Sequence, residues 1–586
     1  MNRTVNALWK YIKRYFIFAV IAAMFMCFEV LMDLLQPEIM QTIVDDGVLG
    51  LGSGNTGNMD IIIKYGLLMI GLTIFGGFCG SMNNVFVNLA GQNIGNEMRK
   101  DAFRHIMSFS FPQVDMFSSG SLITRVTNDI TQVQGLISQF VRGMIRTTLL
   151  TVGSLYFMFT LNVQFGVIML CVLPFIIGCM AFCLWKASPL FPQLQSQLDK
   201  LNEIMQEDIS GIRIIKACVR ETYEKLRFGK ANGELIKTQL KTLVIFAFMN
   251  PVMNLLMNFA VLMVLITGND AVAAGASTPG SIMAAITYST TLLNGILMLV
   301  MLFQNITRGT ASWKRVKQIL DCTPEITDGS HSQEATEKGT VEFRHVSFGY
   351  AGNERSVLND ISFRIEKGET VAIMGATGCG KSTLVNLIPR FYDVTGGQVL
   401  MDGIDVKNYP LEELRDKITV VLQKAELFTQ SIAENIRWGD PSASDEKIHK
   451  AALIAQADDF IAHTENGYDT LVAERGMSLS GGQKQRISIA RAVLRDSEVL
   501  IFDDSTSALD LKTEAAFYDM LAAEKPDCTK IIVAQRIATV RRADKIIILE
   551  NGRIEAIGSH AELMEKSHVY RDIYASQFGK EDEENE

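Results

Sequence analysis

The residues with the clearest chemical reading are Gly375-Ala376-Thr377-Gly378-Cys379-Gly380-Lys381-Ser382-Thr383, which fit G-x-x-x-x-G-K-[ST] directly after the apolar run 370–374. A buried strand followed by a helix over 383–391 puts the three glycines in the turn between them, where backbone N–H groups converge on phosphate oxygens. Glycine supplies the torsions such a turn needs. Lys381 then reaches the β- and γ-phosphates as a point charge, and the Ser382 hydroxyl takes part in a Mg²⁺ shell. The implied chemistry is the gripping of a nucleotide's phosphates.

That cradle sits in the second of two unlike halves. The chain has 586 residues, too many for one core, and its 48% hydrophobic content averages charge-poor apolar runs before about residue 305 with ordinary soluble composition after it. The first half belongs in lipid. Nine cysteines are scattered without C-x-x-C pairing and read as small core residues, suggesting neither a disulfide framework nor a zinc site. A net charge of −9 argues against nucleic acid as a partner, and the acidic end, 579–586, reads as a solvated, disordered tail.

Residues 1–14 place Arg3, Lys10, Lys13 and Arg14 around Leu8, Trp9 and Ile12, the pattern of a basic amphipathic helix lying on a membrane surface. The run that follows is too long for a signal peptide. Six stretches suffice to cross a bilayer core that needs about 20 residues: 16–36, 61–89, 139–161, 163–185, 243–267 and 281–303. Loops 91–137 and 186–242 are rich in Lys and Arg while 48–60 and 268–280 have none, so the basic loops and both termini are expected on the cytoplasmic side. The long inner loops are helically patterned and extend the spans as helices beyond the bilayer.

Within the spans, Asn250, Asn254 and Asn258 recur every four residues on one face. Such a stripe serves either helix packing through hydrogen bonds or a polar substrate path, and both stay open. Glu29, Asp33, Thr287, Thr290, Thr291 and Asn294 are placed to share that interior. Arg142 and Arg146, one turn apart near the cytoplasmic end of the third span, are expected to snorkel. Methionines such as Met249, Met253, Met257 and Met298 suit varied apolar ligands, although ordinary core filling is the preferred account.

A linker rich in Pro, Gly, Ser, Thr and charge covers 321–339 and leads to a domain over 340–578. Its first strand alternates from Val341 and ends beside Tyr350, whose ring is a candidate to stack on adenine. Further on come Leu479-Ser480-Gly481-Gly482-Gln483, the strand Val499-Leu-Ile-Phe-Asp503, Gln423 after Val420-Val-Leu, Ser507-Ala-Leu-Asp510 and Val472-Ala-Glu474-Arg-Gly476.

These motifs, in this order behind the phosphate cradle, resemble ABC (ATP-binding cassette) proteins: a signature motif, Walker B strand, Q-loop, D-loop and the pre-signature segment of exporters. With six spans ahead of one cassette, nearly the whole chain is similar to a half-transporter of the exporter type, a polytopic α-helical membrane domain fused to an α/β nucleotide-binding domain. The resemblance implies ATP and Mg²⁺ as cofactors, with Ser382, Gln423 and Asp503 toward the metal. It implies that Ser480, Gly481, Gly482 and Gln483 serve ATP held by a second cassette, and that coupling helices lie around 111–117 and 211–220.

Two positions depart from the pattern. The family's glutamate after the Walker B aspartate is Asp504, one methylene shorter, and the switch histidine is Gln535, which cannot carry imidazolium charge. Both weaken one chemical step, since about 1 Å of displacement at a reacting centre costs on the order of a hundredfold. The expectation is a site that binds ATP but cleaves it slowly, beside an intact signature. This resembles the degenerate-site subunit of bacterial heterodimeric multidrug exporters. It implies a second, different half-transporter as partner, a bacterial plasma-membrane location, and small amphipathic molecules as substrate. A lipid or peptide exporter, a metallophore importer and a channel-like regulatory subunit are the alternatives on the same scaffold.

Overall fold

The computed structural model describes all residues except 1, 52–56, 331–337, 351, 353–354, 474–475, 477 and 579–586. The acidic tail, the middle of the linker and the Glu474-Arg475 pair thus lie outside the described residues. The chain forms two compact units, one of Met1–Met107 with Gly120–Asp321, the other of Ser108–Ser119 with Cys322–Glu586.

The first unit is helical. Among the described residues, six helices are long and apolar enough to cross a membrane: Phe16–Val48, Met59–Met107, Ser119–Leu161, Val163–Ser210, Glu221–Ala273 and Pro279–Leu299, the last continuing helically to Leu320. Each covers one expected span, and the second to sixth run well past it. Ala22, Met26, Val30 and Leu34 recur every four residues and are buried, the stripe by which the first span packs on its neighbours. Met253 and Met257 lie in the same core as Met26 and Val30, the core-filling role expected of them. Other large apolar side chains stand out from the unit, among them Ile74 (69% exposed), Phe175 (67%) and Phe248 (68%). Water would penalise an outward face of this kind, whereas hydrocarbon does not. The amphipathic helix Asn2–Arg14 is tied to the second span, with the Tyr11 hydroxyl donating to Asp101 (3.1 Å) and Arg14 paired with Glu97 (3.2 Å).

The second unit is built on two sheets. One is antiparallel, in the order β2-β1-β4-β5, from β1 (Val341–Phe348), β2 (Leu358–Ile365), β4 (Gly396–Met401) and β5 (Ile404–Asp405). The other runs β10-β9-β3-β8-β7-β6, from β3 (Thr370–Met374), β6 (Ile418–Val421), β7 (Val499–Asp503), β8 (Thr529–Val533), β9 (Lys545–Glu550) and β10 (Arg553–Gly558). Neighbours from β9 through β3, β8 and β7 to β6 are parallel. A parallel sheet is covered on both faces, which is why β7 and β8 are buried at every position and carry the apolar runs 499–502 and 531–533. Parallel pairing also gathers the carboxyl ends of β3, β6, β7 and β8 along one edge, the usual ligand edge of such sheets.

Ser108–Ser119 belongs to this unit although it lies between two membrane helices in sequence. Its short helix, Phe111–Met116, is closed by a Ser110/Gln113 capping box and seats Phe111 on Phe391 with ring centroids 4.1 Å apart. The Tyr392 hydroxyl donates to Asp115 at 2.5 Å. The first expected coupling helix is therefore docked on the cassette. The second forms as Ile212–Ala217 in the membrane unit. Replacing Phe111 with alanine removes the stacked ring, worth about 1 kcal/mol beyond its buried area. We expect faster amide exchange across 108–119 with ATP binding unchanged; an unaltered exchange pattern would show that the stack does not hold the segment.

Candidate nucleotide site

The cradle is the turn between β3 and the helix Lys381–Leu387. That helix opens two residues before the expected start and stops at Leu387 instead of 391. Pro389 cannot donate to the ladder, and Arg390 turns into the left-handed region (φ 52°), which together end the helix early. Gly375, Gly378 and Gly380 have φ of 152°, 84° and 104°. At Gly375 a Cβ would also come within 2.9 Å of the Cys379 sulfur, so a side chain is excluded twice over. Lys381 is buried and donates to the carbonyls of Gly375 (2.8 Å) and Ala376 (2.9 Å), oxygens that stand in for phosphate. Thr383 Oγ1 lies 3.0 Å from the Tyr350 hydroxyl, and the Tyr350 ring packs edge-on against Phe348 and Tyr392.

Asp503, the last residue of β7, accepts a hydrogen bond from the Ser382 hydroxyl at 2.9 Å. Burial pushes its carboxyl above the usual range, against the pull of that bond. Asp504 follows in the left-handed region (φ 47°), its N–H bonded to the Val533 carbonyl. Its Oδ2 accepts from the side-chain amides of Gln423 (3.1 Å) and Gln535 (3.4 Å). Both unusual residues of the sequence, and the Q-loop glutamine, thus meet at one carboxylate oxygen. Burial raises the Asp504 carboxyl too, opposed first by the Gln423 bond.

Mg²⁺ and a nucleotide triphosphate fit these residues. A buried ammonium held by loop carbonyls and the Cys379 sulfur can turn to phosphate, and a buried carboxylate beside a serine hydroxyl favours a divalent cation. Lys381 and the 375–380 turn would hold the phosphates; Ser382, Asp503 and Gln423 would face the metal.

The signature residues form a separate cluster. Ser480 caps the helix Gly481–Leu494, accepting from the Gln483 N–H (3.3 Å) while its own N–H donates to the Gln483 side chain (2.9 Å). A Cβ on Gly482 would stand 3.0 Å from the Ala508 carbonyl, so the D-loop is pressed against this turn, and Gln485 accepts from the Ala508 N–H at 3.0 Å. Among the described residues, none of Ser480, Gly481, Gly482 and Gln483 hydrogen-bonds to the cradle.

Sequence reasoning missed the support behind the site. Glu514 is buried, accepts from Thr506 (2.7 Å) and Thr539 (2.8 Å), and pairs with Arg536 (3.1 Å), which also holds the carbonyls of Ser507 and Leu509. Gln577 donates to the Gln535 carbonyl at 2.6 Å. Glu514 lies in the first turn of the helix Leu511–Glu524, where an acid is expected from helix-end electrostatics alone, so no local signal marks its role. Asp503→Asn should raise the melting temperature of the nucleotide-free protein at pH 7. A carboxyl with a raised pKa favours folding below its unfolded value, and that contribution fades as pH rises through the folded one. Removing the charge is worth on the order of 1 kcal/mol, and the same variant should lose stabilisation by Mg·ATP. Thermal scans with and without Mg·ATP check both, and a lowered nucleotide-free melting point would contradict the first.

In the membrane unit, Asp33, Thr287, Thr291 and Asn294 line one cavity of about 510 Å³. Asn250, Asn254 and Asn258 are exposed and do not line it. Arg146 does not snorkel: it pairs with Glu29 and, at 3.2 Å, with Asp33. Two carboxylates inside the helix bundle hold the guanidinium more strongly than the interface attracts it.

Residues 16–297 match the ABC transporter transmembrane region and 358–507 the family described as ABC transporter. The chain is 39% identical over 579 residues to an uncharacterized ABC transporter ATP-binding protein, YfiB, of Bacillus subtilis, covering 98% of this chain and 99% of that one. It is 31% identical over 580 residues to an ATP-dependent lipid A-core flippase of Vibrio vulnificus, covering 99% and 98%. Its fold matches a bacterial Atm1-family ABC exporter solved with ATP bound, with a TM-score of 0.79 at 24% identity over 97% of this chain and 99% of the other.

Proposed function

The chain belongs to the ABC transporter family, and on that premise we propose that it is the weakly hydrolysing half of a heterodimeric exporter of small amphipathic molecules in the bacterial plasma membrane. The observation that carries this reading is the Asp504 carboxylate, short by one methylene and bound by Gln423 and Gln535.

In this account the 375–380 turn and Lys381 grip the triphosphate, with Tyr350 against the base, and Ser382, Asp503 and Gln423 hold Mg²⁺. Bound Mg²⁺ neutralises charge developing on the phosphates. Asp504 orients water poorly, because its carboxylate stops short and shares an oxygen with two amides. Ser480 and the Gly481-Gly482 N–H groups, at a helix N-terminus, offer anion donors to the partner's competent site. Closure of the two cassettes moves the coupling helices, and the spans alternate access.

Purification from native membranes through a tag on this chain, followed by native mass spectrometry, tests the pairing. The expected species contains an unlike half-transporter. A dimer of two identical chains splitting ATP briskly at equal sites would overturn the reading. A second reading, lipid flipping, draws on the similarity to lipid A-core flippases. Inside-out vesicles distinguish the two: a soluble amphipath accumulates within them under export, whereas a labelled lipid changes leaflet under flipping.

A further inference from the structure

The 510 Å³ cavity of the membrane unit is lined by Asp33 and Arg146, and Glu29, outside the lining, also engages Arg146. Arg146 gives one guanidinium nitrogen to Glu29 and the other to Asp33, instead of gripping either carboxylate with both. One cation therefore faces two anions, and each carboxylate keeps an oxygen outside the pair. The two anions are not equivalent. The Glu29 side chain is 13% exposed, and its carboxyl is packed so closely on the second span that a Cβ on Gly80 would come within 2.9 Å of it. The Asp33 side chain is 37% exposed and lines the cavity beside Gln36 and Asn294. Glu29 thus anchors Arg146, and the spare negative charge falls on Asp33.

An uncompensated charge within membrane-spanning helices is costly and persists where it has work to do. The wall also carries Arg146, Thr147, Thr287 and Thr291, beside an apolar, adaptable part made by Met40, Met69, Leu150 and Met298. A volume of this order suits a ligand of drug size, and thioether side chains accommodate varied apolar shapes.

We infer that this cavity binds an amphipathic organic cation, its charged centre paired with Asp33 and its apolar groups laid against Met69, Leu150 and Met298. This names a substrate class for the exporter proposed above and rests on that reading for transport, though not for binding.

The test uses the full-length chain with its co-purified partner in lipid nanodiscs. The probes are tetraphenylphosphonium and tetraphenylborate, ions of like size and opposite charge, with empty nanodiscs as background. The phosphonium should bind saturably and at least about tenfold more tightly than the borate, as expected for one unit charge acting across a few ångströms of partly screened medium. Asp33→Asn should weaken phosphonium binding at least about tenfold, and Asp33→Glu should keep most of it. Asn294→Asp, which adds a carboxylate to the same wall, should tighten it, and this variant carries the test if Asp33→Asn does not assemble. Equal binding of the two probes, or phosphonium binding indifferent to both Asp33→Asn and Asn294→Asp, would overturn the inference. Vesicle transport separates the two readings. Asp33-dependent binding without movement would sink export and leave the cavity assignment standing. Export of a neutral molecule by a wild-type assembly that binds no phosphonium would do the reverse.

Discussion

Asp504→Glu combined with Gln535→His is expected to raise ATP hydrolysis by the purified assembly about tenfold or more. The added methylene carries the carboxylate out of its shared contact with Gln423 and Gln535 and toward the space in front of the cradle. Histidine at 535 brings a ring that can carry charge, on a backbone already held by Gln577. Glutamate is less at ease than aspartate at the positive φ of position 504, so the gain is net of a small strain. The two substitutions act on one carboxylate and should be non-additive, with each single change giving a minor part of the effect. Steady-state ATPase rates of the wild type, both singles and the double check this. A double variant no faster than wild type would mean that the site is not limited at Asp504.

The opposite result is expected from the signature turn. Ser480→Arg should lower turnover of the assembly by about a hundredfold, the scale seen when a preorganised anion donor is removed from a reacting centre. The serine both caps its helix and borders the glycines at that N-terminus, and a bulky cation there blocks the approach of a phosphate. Lys381→Ala, in this chain's own cradle, should cost less than about tenfold if, as proposed, that site contributes little of the chemistry. Melting curves guard against a trivial unfolding effect, the cap itself being worth about 1 kcal/mol. Were Lys381→Ala the more damaging change, hydrolysis would be taking place in this chain's cradle and the assignment of roles would be inverted.

The cradle, the six spans and the division into a lipid half and a cassette half were legible because they are local. A glycine turn after an apolar strand, a run of about 20 apolar residues and a basic loop each announce themselves within a short window. Helix ends were less legible: Leu387, not 391, closes the cradle helix, ahead of a proline that cannot donate and an arginine in the left-handed region. Arg146 was misread because its partners, Glu29 and Asp33, lie more than a hundred residues earlier, and a window around 146 contains only the cation.

The amino-acid sequence by itself determined which residues could do chemistry here: the glycines and lysine proposed for phosphate, the aspartate proposed for metal, and the two positions, Asp504 and Gln535, that depart from the family pattern. Only the tertiary structure decided who meets whom. The parallel sheet draws the ends of β3, β6, β7 and β8 to one edge, so that Gln423, Asp504 and Gln535 converge on a single oxygen. Helix packing closes a cavity in which one arginine is shared by two acids. Side-chain type is a property of position in the chain, whereas an unbalanced charge is a property of neighbours, and neighbours exist only once the chain has folded.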